Sequence, residues 1–388
     1  MKTGIRAIMA RTLRELAGRP LYWYAIIVLP LLLFVFLTSE LKEGLPAKAP
    51  AAIVDKDHTS LSRRVTSTLD GMQMVSLTKE CDSYSQAMQA MRRGEIFGFF
   101  LIPENYEADL LAGRSPVVSF YTNMTYFIPG TMLYKNFKTT AVYTKAGVVM
   151  NVVQSATGAT SEEVTPVINP VNISAHPIGN PWLNYAYYLA VSFIPGVLQL
   201  MIFLVTAYTI CEELKRGTSV RLMRMARGSV VRAVCGKMLP QTLIWWAIAL
   251  FMQSWMYAYN HFPCYGSMPW ITANTLLFVV ASQGFALFVC CCLPNLRLAL
   301  SIGALTGILS FSLGAFSWPV SEMYGAVAIF TWIIPVRYYF LNYITLSLDA
   351  MPLYYSRYYF AAYFIFILAP LPMLWRLKKA WLRPVYIP

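Results

Sequence analysis

The chain contains few of the side chains that catalytic and metal sites usually need. Only three of its 388 residues are histidines, His58, His176 and His261, and none has a second ligand at the i, i+4 or Cys-x-x-Cys spacing of a metal site. The neighbouring carboxylates Asp55 and Asp57 suit a solvated loop better than acid–base chemistry. We therefore expect no catalytic residue, metal or cofactor in this chain.

A phosphate-binding loop is also missing. The nearest approach, Gly236-Lys237, is followed by Met238 and has no glycine at the required upstream position. The apolar segments carry no set of buried charged side chains of the kind that ion-driven carriers use. If such a protein moved a solute uphill, its energy would come from a partner.

The seven cysteines do not form the pattern of a disulfide framework. Five of them lie in or beside apolar segments, which leaves only Cys81 and Cys264 in polar surroundings. A bridge between these two is open, but unpaired thiols that behave as small hydrophobic residues are the expectation.

Apolar residues dominate instead, at 57% of the chain. Six segments are apolar over a length close to the roughly 20 helical residues that cross a hydrocarbon core. These are Leu21 to Thr38, Tyr185 to Ile210, Met238 to Tyr257, Trp270 to Leu293, Leu298 to Phe316 and Tyr359 to Leu374. The sequence therefore predicts six membrane spans, with the last five forming a membrane domain over residues 183–375.

The stretch Met323 to Leu346 is apolar enough to be a seventh span, but Pro335 interrupts it and Arg337 lies within it. A seventh crossing would place the basic tail, residues 376–388, on the outer side. Parity thus favours a re-entrant or interfacial hairpin over residues 317–350 on the outer side, with a seventh span as the alternative.

Charge gives the orientation. If both termini are cytoplasmic, the inner segments hold 17 of the 31 Lys and Arg residues and only three acids, Glu15, Glu212 and Glu213. The inner side then carries about +14 and the outer side about −1, as the positive-inside rule requires. Because the basic residues lie at span ends, we expect them to meet lipid headgroups and not nucleic acid.

Residues 1–20 predict an amphipathic helix on the inner leaflet, because Ile5, Ile8, Met9, Leu13 and Leu16 recur at helical spacing. A plain basic flank is the alternative. The first span, residues 21–38, is longer than the apolar core of a signal peptide, so it is expected to remain as an anchor.

The insert between the first two spans, residues 39–182, alternates strand and helix patterns and predicts an extracytoplasmic α/β domain. Four strands are predicted at Ala51 to Val54, Met72 to Leu77, Ile96 to Ile102 and Val117 to Tyr121. Four helices are predicted at Leu61 to Leu69, Ser83 to Arg93, Tyr106 to Ala112 and Ile128 to Gln154. The fold class is thus an α-helical membrane protein of six spans and an outer hairpin, with an inserted α/β domain.

The inner loop over residues 211–237 has the pattern of a short projecting helix. Gly217 can end the preceding span in a left-handed conformation, Thr218 or Ser219 can cap a new helix, and Gly228-Ser229 repeats this pattern. Apolar Leu222 and Met223 are interleaved with arginines, which suits a protein contact. A basic loop on the membrane surface is the alternative.

This loop resembles that of ABC-2-type transporter permeases, the type V ABC exporter class. Glu212 through Thr218, followed by Gly236-Lys237 and Pro240, matches their Glu-x-x-x-x-Gly-Thr and Gly-Lys-x-x-Pro pattern. The surface helix, the outer insert, Asn169-Pro170 and the Trp318-Pro319 hairpin are similar to the bacterial drug-efflux branch. Basic Arg221 departs from relatives that have an acid there.

The resemblance implies a permease subunit in the bacterial inner membrane that exports a lipophilic or amphipathic compound. The implied partners are an ATPase subunit that binds ATP and Mg, a second copy or paralogue, the lipid membrane and a periplasmic adaptor. The implied coupling residues are Glu212, Glu213, Gly217, Thr218, Arg221, Leu222, Met223 and Arg224. The candidate path residues are Tyr187, Tyr188, Ser192, Phe193, Gln199, Thr306, Ser310 and Ser312, although ordinary helix packing explains each of them equally well.

Two other classes of membrane protein, a secondary transporter or channel and a receptor, are the alternatives. A secondary transporter or channel would need buried charges, and a receptor that displays the outer domain would not need five further spans.

Overall fold

The computed structural model describes residues 3–41, 48–158, 160, 162, 184–314, 316 and 318–384. His176 and Asn169-Pro170 lie outside these residues. The chain divides into two compact units, one made of Met1–Gly44 with Pro177–Pro388 and the other of Leu45–His176. We call them the membrane unit and the α/β unit.

The α/β unit contains one four-stranded sheet with the order β2-β1-β3-β4. Its strands are β1 Ala49–Asp55, β2 Val75–Glu80, β3 Gly98–Ile102 and β4 Ser119–Thr122, and only β4 is antiparallel to its neighbour. Its helices are Ser60–Asp70, Tyr84–Arg92, Tyr106–Leu111 and Phe127–Thr157. The predicted strands and helices are confirmed, with ends shifted by a few residues.

Helices cover both faces of this sheet. On one face Ile53 and Phe100 pack with Leu69 and Phe137, and on the other Phe99 packs in a second cluster. Burial on both sides explains why the strands read as continuous apolar runs and not as alternating ones.

The carboxylates that follow β1 hold the loop at its end. Asp55 accepts hydrogen bonds from the amides of Asp57 and His58, and Asp57 accepts one from the Glu107 amide at 3.0 Å. These contacts are those of a structural loop. Among the described residues no group of His, Cys, Asp and Glu could hold a metal ion.

Within its described residues the membrane unit contains six helices that are long and apolar enough to cross a membrane. We call them the first to sixth spans: Pro20–Glu40, Ala186–Lys215, Val230–Ala258, Met268–Cys292, Leu296–Leu313 and Leu353–Leu382. Each coincides with one predicted segment. The third begins eight residues earlier than predicted, because Ser229 caps it by accepting a hydrogen bond from the Arg232 amide.

The second span lies at the centre of the packing and contacts the first, fourth and fifth spans. Its closest neighbour is the fifth span, where Gly307 leaves room for Leu200 and Phe311 stacks on Phe193 at 5.4 Å. A polar link also joins spans, since Thr242 donates to Gln283 at 2.6 Å.

Helices Gly325–Thr331 and Pro335–Leu348 form a bent pair, which we call the hairpin, with an 80° angle between them. The Val336 amide at its bend donates to Gln199 at 2.7 Å. Gln199 lies near the middle of the second span, and Asn342 on the second limb bonds Asn274 of the fourth span. The pair would make a seventh span if it were one broken helix, so the re-entrant form stays a prediction.

Helix Ile5–Gly18, the surface helix, is confirmed as a helix, and Pro20 begins the first span directly after the extended residue Arg19. Its apolar side chains are divided between two surroundings. Ile8 and Leu16 are buried within the membrane unit, whereas Leu13 is 48% exposed. The position of this helix on the inner leaflet stays a prediction, and its buried side chains pack on the protein.

Gly236 of the third span makes the close approach of the surface helix possible. A Cβ added there would stand 2.6 Å from Ile8 Cγ2. We predict that Gly236→Ala costs about 1–3 kcal/mol by overpacking and exposes the surface helix to protease. Limited proteolysis of the detergent-solubilised chain would measure this.

The same experiment has two comparisons. The double variant Ile8→Gly, Gly236→Ala removes both clashing atoms, Ile8 Cγ2 at 2.6 Å and Ile8 Cβ at 2.7 Å, and should recover part of the protection. Gly147→Ala, at an open helical position, should behave like the wild type. Unchanged proteolysis of Gly236→Ala would contradict the close packing.

Candidate coupling site

The second and third spans are joined by a short helix, Ser219–Met225, which we call the loop helix. The second span ends at a Schellman motif, with Gly217 at φ 65°, the Gly217 amide on the Leu214 carbonyl and the Thr218 amide on the Glu213 carbonyl. The predicted left-handed cap at Gly217 is thus confirmed. This fixed turn sets the direction in which the loop helix leaves the bundle.

A second Schellman motif ends the loop helix. The amide of Gly228 bonds the Met223 carbonyl, and the left-handed residue before it is Arg227, at φ 52°. The left-handed turn continues at Gly228, at φ 72°, and Ser229 caps the third span, so the predicted stop and start at Gly228-Ser229 are confirmed. The loop is therefore compact, with both ends closed by hydrogen bonds.

Glu213 is the centre of a buried charge network. Its carboxylate is 3% exposed and accepts hydrogen bonds from Lys237 at 2.5 Å, from Arg11 at 2.9 Å and from the Thr218 hydroxyl at 2.6 Å. Arg11 also donates to Glu15 at 2.7 Å. The network thus connects the second span with the surface helix, the third span and the loop.

Glu212, its neighbour, is the centre of a second set of bonds. One carboxylate oxygen accepts from Arg19 at 2.5 Å and Tyr22 at 3.3 Å, both at the start of the first span. The other accepts from Tyr208 at 2.9 Å and pairs with Arg216 at 2.7 Å. The two adjacent carboxylates Glu212 and Glu213 therefore attach the second span to the surface helix, the start of the first span, the third span and the loop.

Arg11 and Arg19, the two arginines that pair with these carboxylates, remain charged. Burial alone would lower the pKa of Arg11, but the carboxylates of Glu213 and Glu15 outweigh it and raise that pKa. At Arg19 burial alone would also lower the pKa, but the Glu212 carboxylate outweighs burial and raises that pKa. Both therefore stay protonated at any physiological pH.

The apolar side of the loop helix faces the interior of the membrane unit. Leu222 is fully buried and Met223 is 2% exposed, in a cluster with Ile8, Leu377 and Trp381. The expectation that Leu222 and Met223 offer direct apolar contact to a partner is corrected, because their side chains have almost no free surface. Any coupling role of these two residues is indirect and stays a prediction.

The outer side of the loop helix is cationic. Arg221, Arg224 and Arg227 are exposed, as are Lys215 and Gly217 at the preceding turn. Thr218 is half-buried and its hydroxyl is used by Glu213. Of the eight predicted coupling residues, Gly217, Arg221 and Arg224 present surface, while Glu212, Glu213, Thr218, Leu222 and Met223 support it from within.

The predicted path residues are brought together only in part. Ser192, Gln199 and Ser310 are buried, and the two serines donate to carbonyls of their own helices. Tyr188 donates to the Phe316 carbonyl and Tyr187 to the His261 carbonyl at 3.4 Å. These bonds belong to helix packing.

Three further path residues lie on the fifth span or against it. Phe193 stacks on Phe311, Thr306 donates to the Ile302 carbonyl at 2.8 Å, and Ser312 is exposed. A path lined by these residues is untested and stays a prediction.

Several members of the charge network were not identified in advance: Arg11, Glu15, Arg19, Tyr22, Tyr208 and Lys237. The sequence pattern placed Lys237 just before the third span; because that helix begins at Val230, this lysine lies inside it, where it needs a buried partner. The partner itself lies 24 residues away for Lys237 and 202 for Arg11, which no local pattern reveals.

One comparison with known proteins identifies the family. A family model described as ABC-2 family transporter protein matches residues 21–374. No curated protein matches the chain. The match covers nearly all of the chain, including both units.

The buried Glu213–Lys237 ion pair predicts a loss of stability when its carboxylate is removed. We predict that Glu213→Gln lowers stability by about 1–3 kcal/mol, because it removes the carboxylate at 2.5 Å from the buried Lys237 ammonium and leaves that charge with Glu15 at 3.9 Å. The apparent melting temperature of the purified chain should fall by several degrees.

A double-mutant cycle isolates the pair. Glu213→Gln with Lys237→Met should be more stable than Glu213→Gln alone, since it removes the stranded charge. Arg14→Gln, an exposed change on the surface helix, is the control and should melt like the wild type. Additive effects of the two core substitutions would contradict a buried ion pair.

Proposed function

The chain belongs to the ABC-2 transporter family, and on that premise we propose that it is the permease subunit of an ATP-driven exporter. It would move a lipophilic or amphipathic compound out of the cytoplasm or inner leaflet of a bacterial inner membrane. A separate ATPase subunit would bind ATP and Mg.

One observation carries this proposal: a cationic helix is attached rigidly to the ends of the spans. The loop helix is closed by two Schellman motifs, and its buried face packs beside the network of Glu213, Lys237 and Arg11. A displacement of the loop helix would therefore move the second span, the third span and the surface helix together. This is what a mechanical input from an ATPase requires.

The exposed side of the loop helix supports a particular kind of partner. Its arginines project while Leu222 and Met223 are buried, so the receiving surface would have to offer carboxylates. Charge-assisted contacts of this kind weaken as salt rises. Docking would thus be electrostatic, and not the insertion of apolar anchors that the sequence alone favoured.

A second copy or paralogue would complete the transporter. The fifth span leaves Leu305, Ile308 and Ser312 exposed, and the first two are about 60% exposed. Within one chain the opposite side of this span is packed on the second span. The free apolar side supports dimerisation there, with the path between copies near the second and fifth spans.

The proposed orientation has both termini in the cytoplasm, the α/β unit outside and the hairpin entering from the outer side. The excess of basic residues at one set of span ends supports it. A periplasmic adaptor is the proposed partner of the α/β unit, where the long helix exposes Phe127, Val142 and Tyr143.

We predict that Arg221→Glu with Arg224→Glu abolishes association with the cassette ATPase in a detergent pull-down. The substitutions reverse two exposed charges without entering the core. Association of the wild type should also fall between 50 and 300 mM salt, a range of roughly twofold in Debye length.

The matched control is Arg63→Glu with Arg64→Glu, two adjacent exposed arginines on a helix of the α/β unit. It makes the same change in charge and should leave association unchanged. Undiminished association of the loop-helix variant, or equal loss in both, would contradict docking through these arginines.

Orientation has its own measurement. A cysteine placed at exposed Ser115 of the α/β unit should react with a membrane-impermeant maleimide in intact spheroplasts, and one placed at Ala10 of the surface helix only after permeabilisation. The reverse order of labelling would overturn the proposed topology.

A further inference from the structure

Among the described residues of the membrane unit, one buried arginine has no anionic partner. Arg337 on the hairpin is 7% exposed, and its Nε and Nη1 atoms are enclosed with no hydrogen-bond partner among the described residues. Lys237, the other buried cation, has Glu213 at 2.5 Å. Arg337 therefore lacks the neighbouring carboxylate that Lys237 has.

Its position is inside the span region and not at a rim. The Val336 amide next to it bonds Gln199, which lies 13 residues from Glu212 and so roughly 20 Å from the charge network along the helix. An arginine at such a depth is costly unless something satisfies it, and marks a binding site by default.

The surroundings of Arg337 hold it in place but do not neutralise it. The guanidinium lies over the Trp332 ring, 4.9 Å from its centroid, and the Tyr338 hydroxyl donates to the Trp332 carbonyl at 2.8 Å. This pair of contacts fixes both the ring and the bend of the hairpin. A cation–π contact uses the face of the guanidinium, so it leaves the enclosed in-plane N–H groups at Nε and Nη1 still unpaired.

The exposed side chains beside it are apolar. Phe330, Trp332 and Ile333 at the bend are each about half exposed. A ligand at this place would meet apolar surface along its length and a planar cation at one end. An oxyanion is the acceptor that matches a guanidinium fork.

We propose that Arg337 binds the phosphate or carboxylate head of an amphiphile whose apolar tail lies against the bend of the hairpin. This rests on the proposed exporter function only for the step that makes such an amphiphile the cargo. The same head group occurs in bilayer phospholipids, so the ligand is either an exported anionic amphiphile or a resident lipid.

Native mass spectrometry of the full chain in neutral detergent tests the binding without any ATPase. The probes are dodecyl phosphate, phosphatidylglycerol and the uncharged octaethylene glycol monododecyl ether. We expect dodecyl phosphate to be retained, and Arg337→Gln to weaken its binding by about tenfold, the loss of one charge-assisted contact. Arg337→Lys, which keeps the charge but not the fork, should be intermediate.

The matched control is Arg357→Gln, an exposed arginine stacked on Tyr354, which should bind like the wild type. Loss for both anionic probes supports the site with a phospholipid as resident, and loss for dodecyl phosphate alone supports it with a single-chain cargo. Equal binding by wild type and Arg337→Gln, or equal loss in Arg357→Gln, would overturn it.

The test does not depend on the folding of Arg337→Gln or on the ATPase. If Arg337→Gln does not fold, the wild type alone decides, because equal retention of dodecyl phosphate and the uncharged ether would refute an oxyanion site. The outcome is also independent of the ATPase pull-down, so failure of either proposal leaves the other open to its own measurement.

Discussion

The burial of Glu213 between Lys237 and Arg11 is the constraint on which the charged end of the membrane unit depends. Lys237 is 2% exposed and Glu213 is 3% exposed, so separating them would leave a bare charge in a low-dielectric interior. The surface helix, the second span and the third span are therefore held at one spacing. The arginine surface of the loop helix is positioned by these buried contacts and not by its own short sequence.

Buried charges occur here in two forms with different consequences. At the charged end each carboxylate has several donors, and such a saturated network resists separation. At the hairpin Arg337 has a ring beneath it and no carboxylate against it among the described residues. The carboxylate network makes the helices that it joins move together. Arg337, in contrast, keeps N–H groups that no described residue of the chain accepts.

Much of the architecture could be predicted because it follows from local patterns. Hydropathy identified the six spans, and runs of apolar residues between turn signals identified β1 to β4. Gly217 was identifiable because a left-handed residue at a helix end favours glycine. The α/β unit is the clearest case, since its strands are short and two of its helices begin at side-chain caps, Thr59 and Ser83.

The site was less predictable because its contacts are long-range. Arg11 and Glu213 are 202 residues apart, and neither is unusual in its local sequence. Leu222 and Met223 looked like exposed anchors, because a seven-residue helix gives too little periodicity to show which face is covered. The sixth span supplies that cover through Leu377 and Trp381, which lie more than 150 residues further along the chain. Tertiary packing therefore buries the two apolar residues that were expected to be exposed and leaves the arginines of the loop helix on the surface.

Two polar residues of the second span are used within the chain. The Ser192 hydroxyl donates to carbonyls of its own helix, and the Gln199 carbonyl oxygen accepts from the Val336 amide of the hairpin. The Gln199 amide nitrogen is buried with no hydrogen-bond partner among the described residues. If the hairpin moved away from Gln199, the carbonyl oxygen would lose its donor, and Arg337, the residue after Val336, would shift in the same step. The hairpin is thus the element whose displacement would change the surroundings of a buried amide and of the buried arginine together.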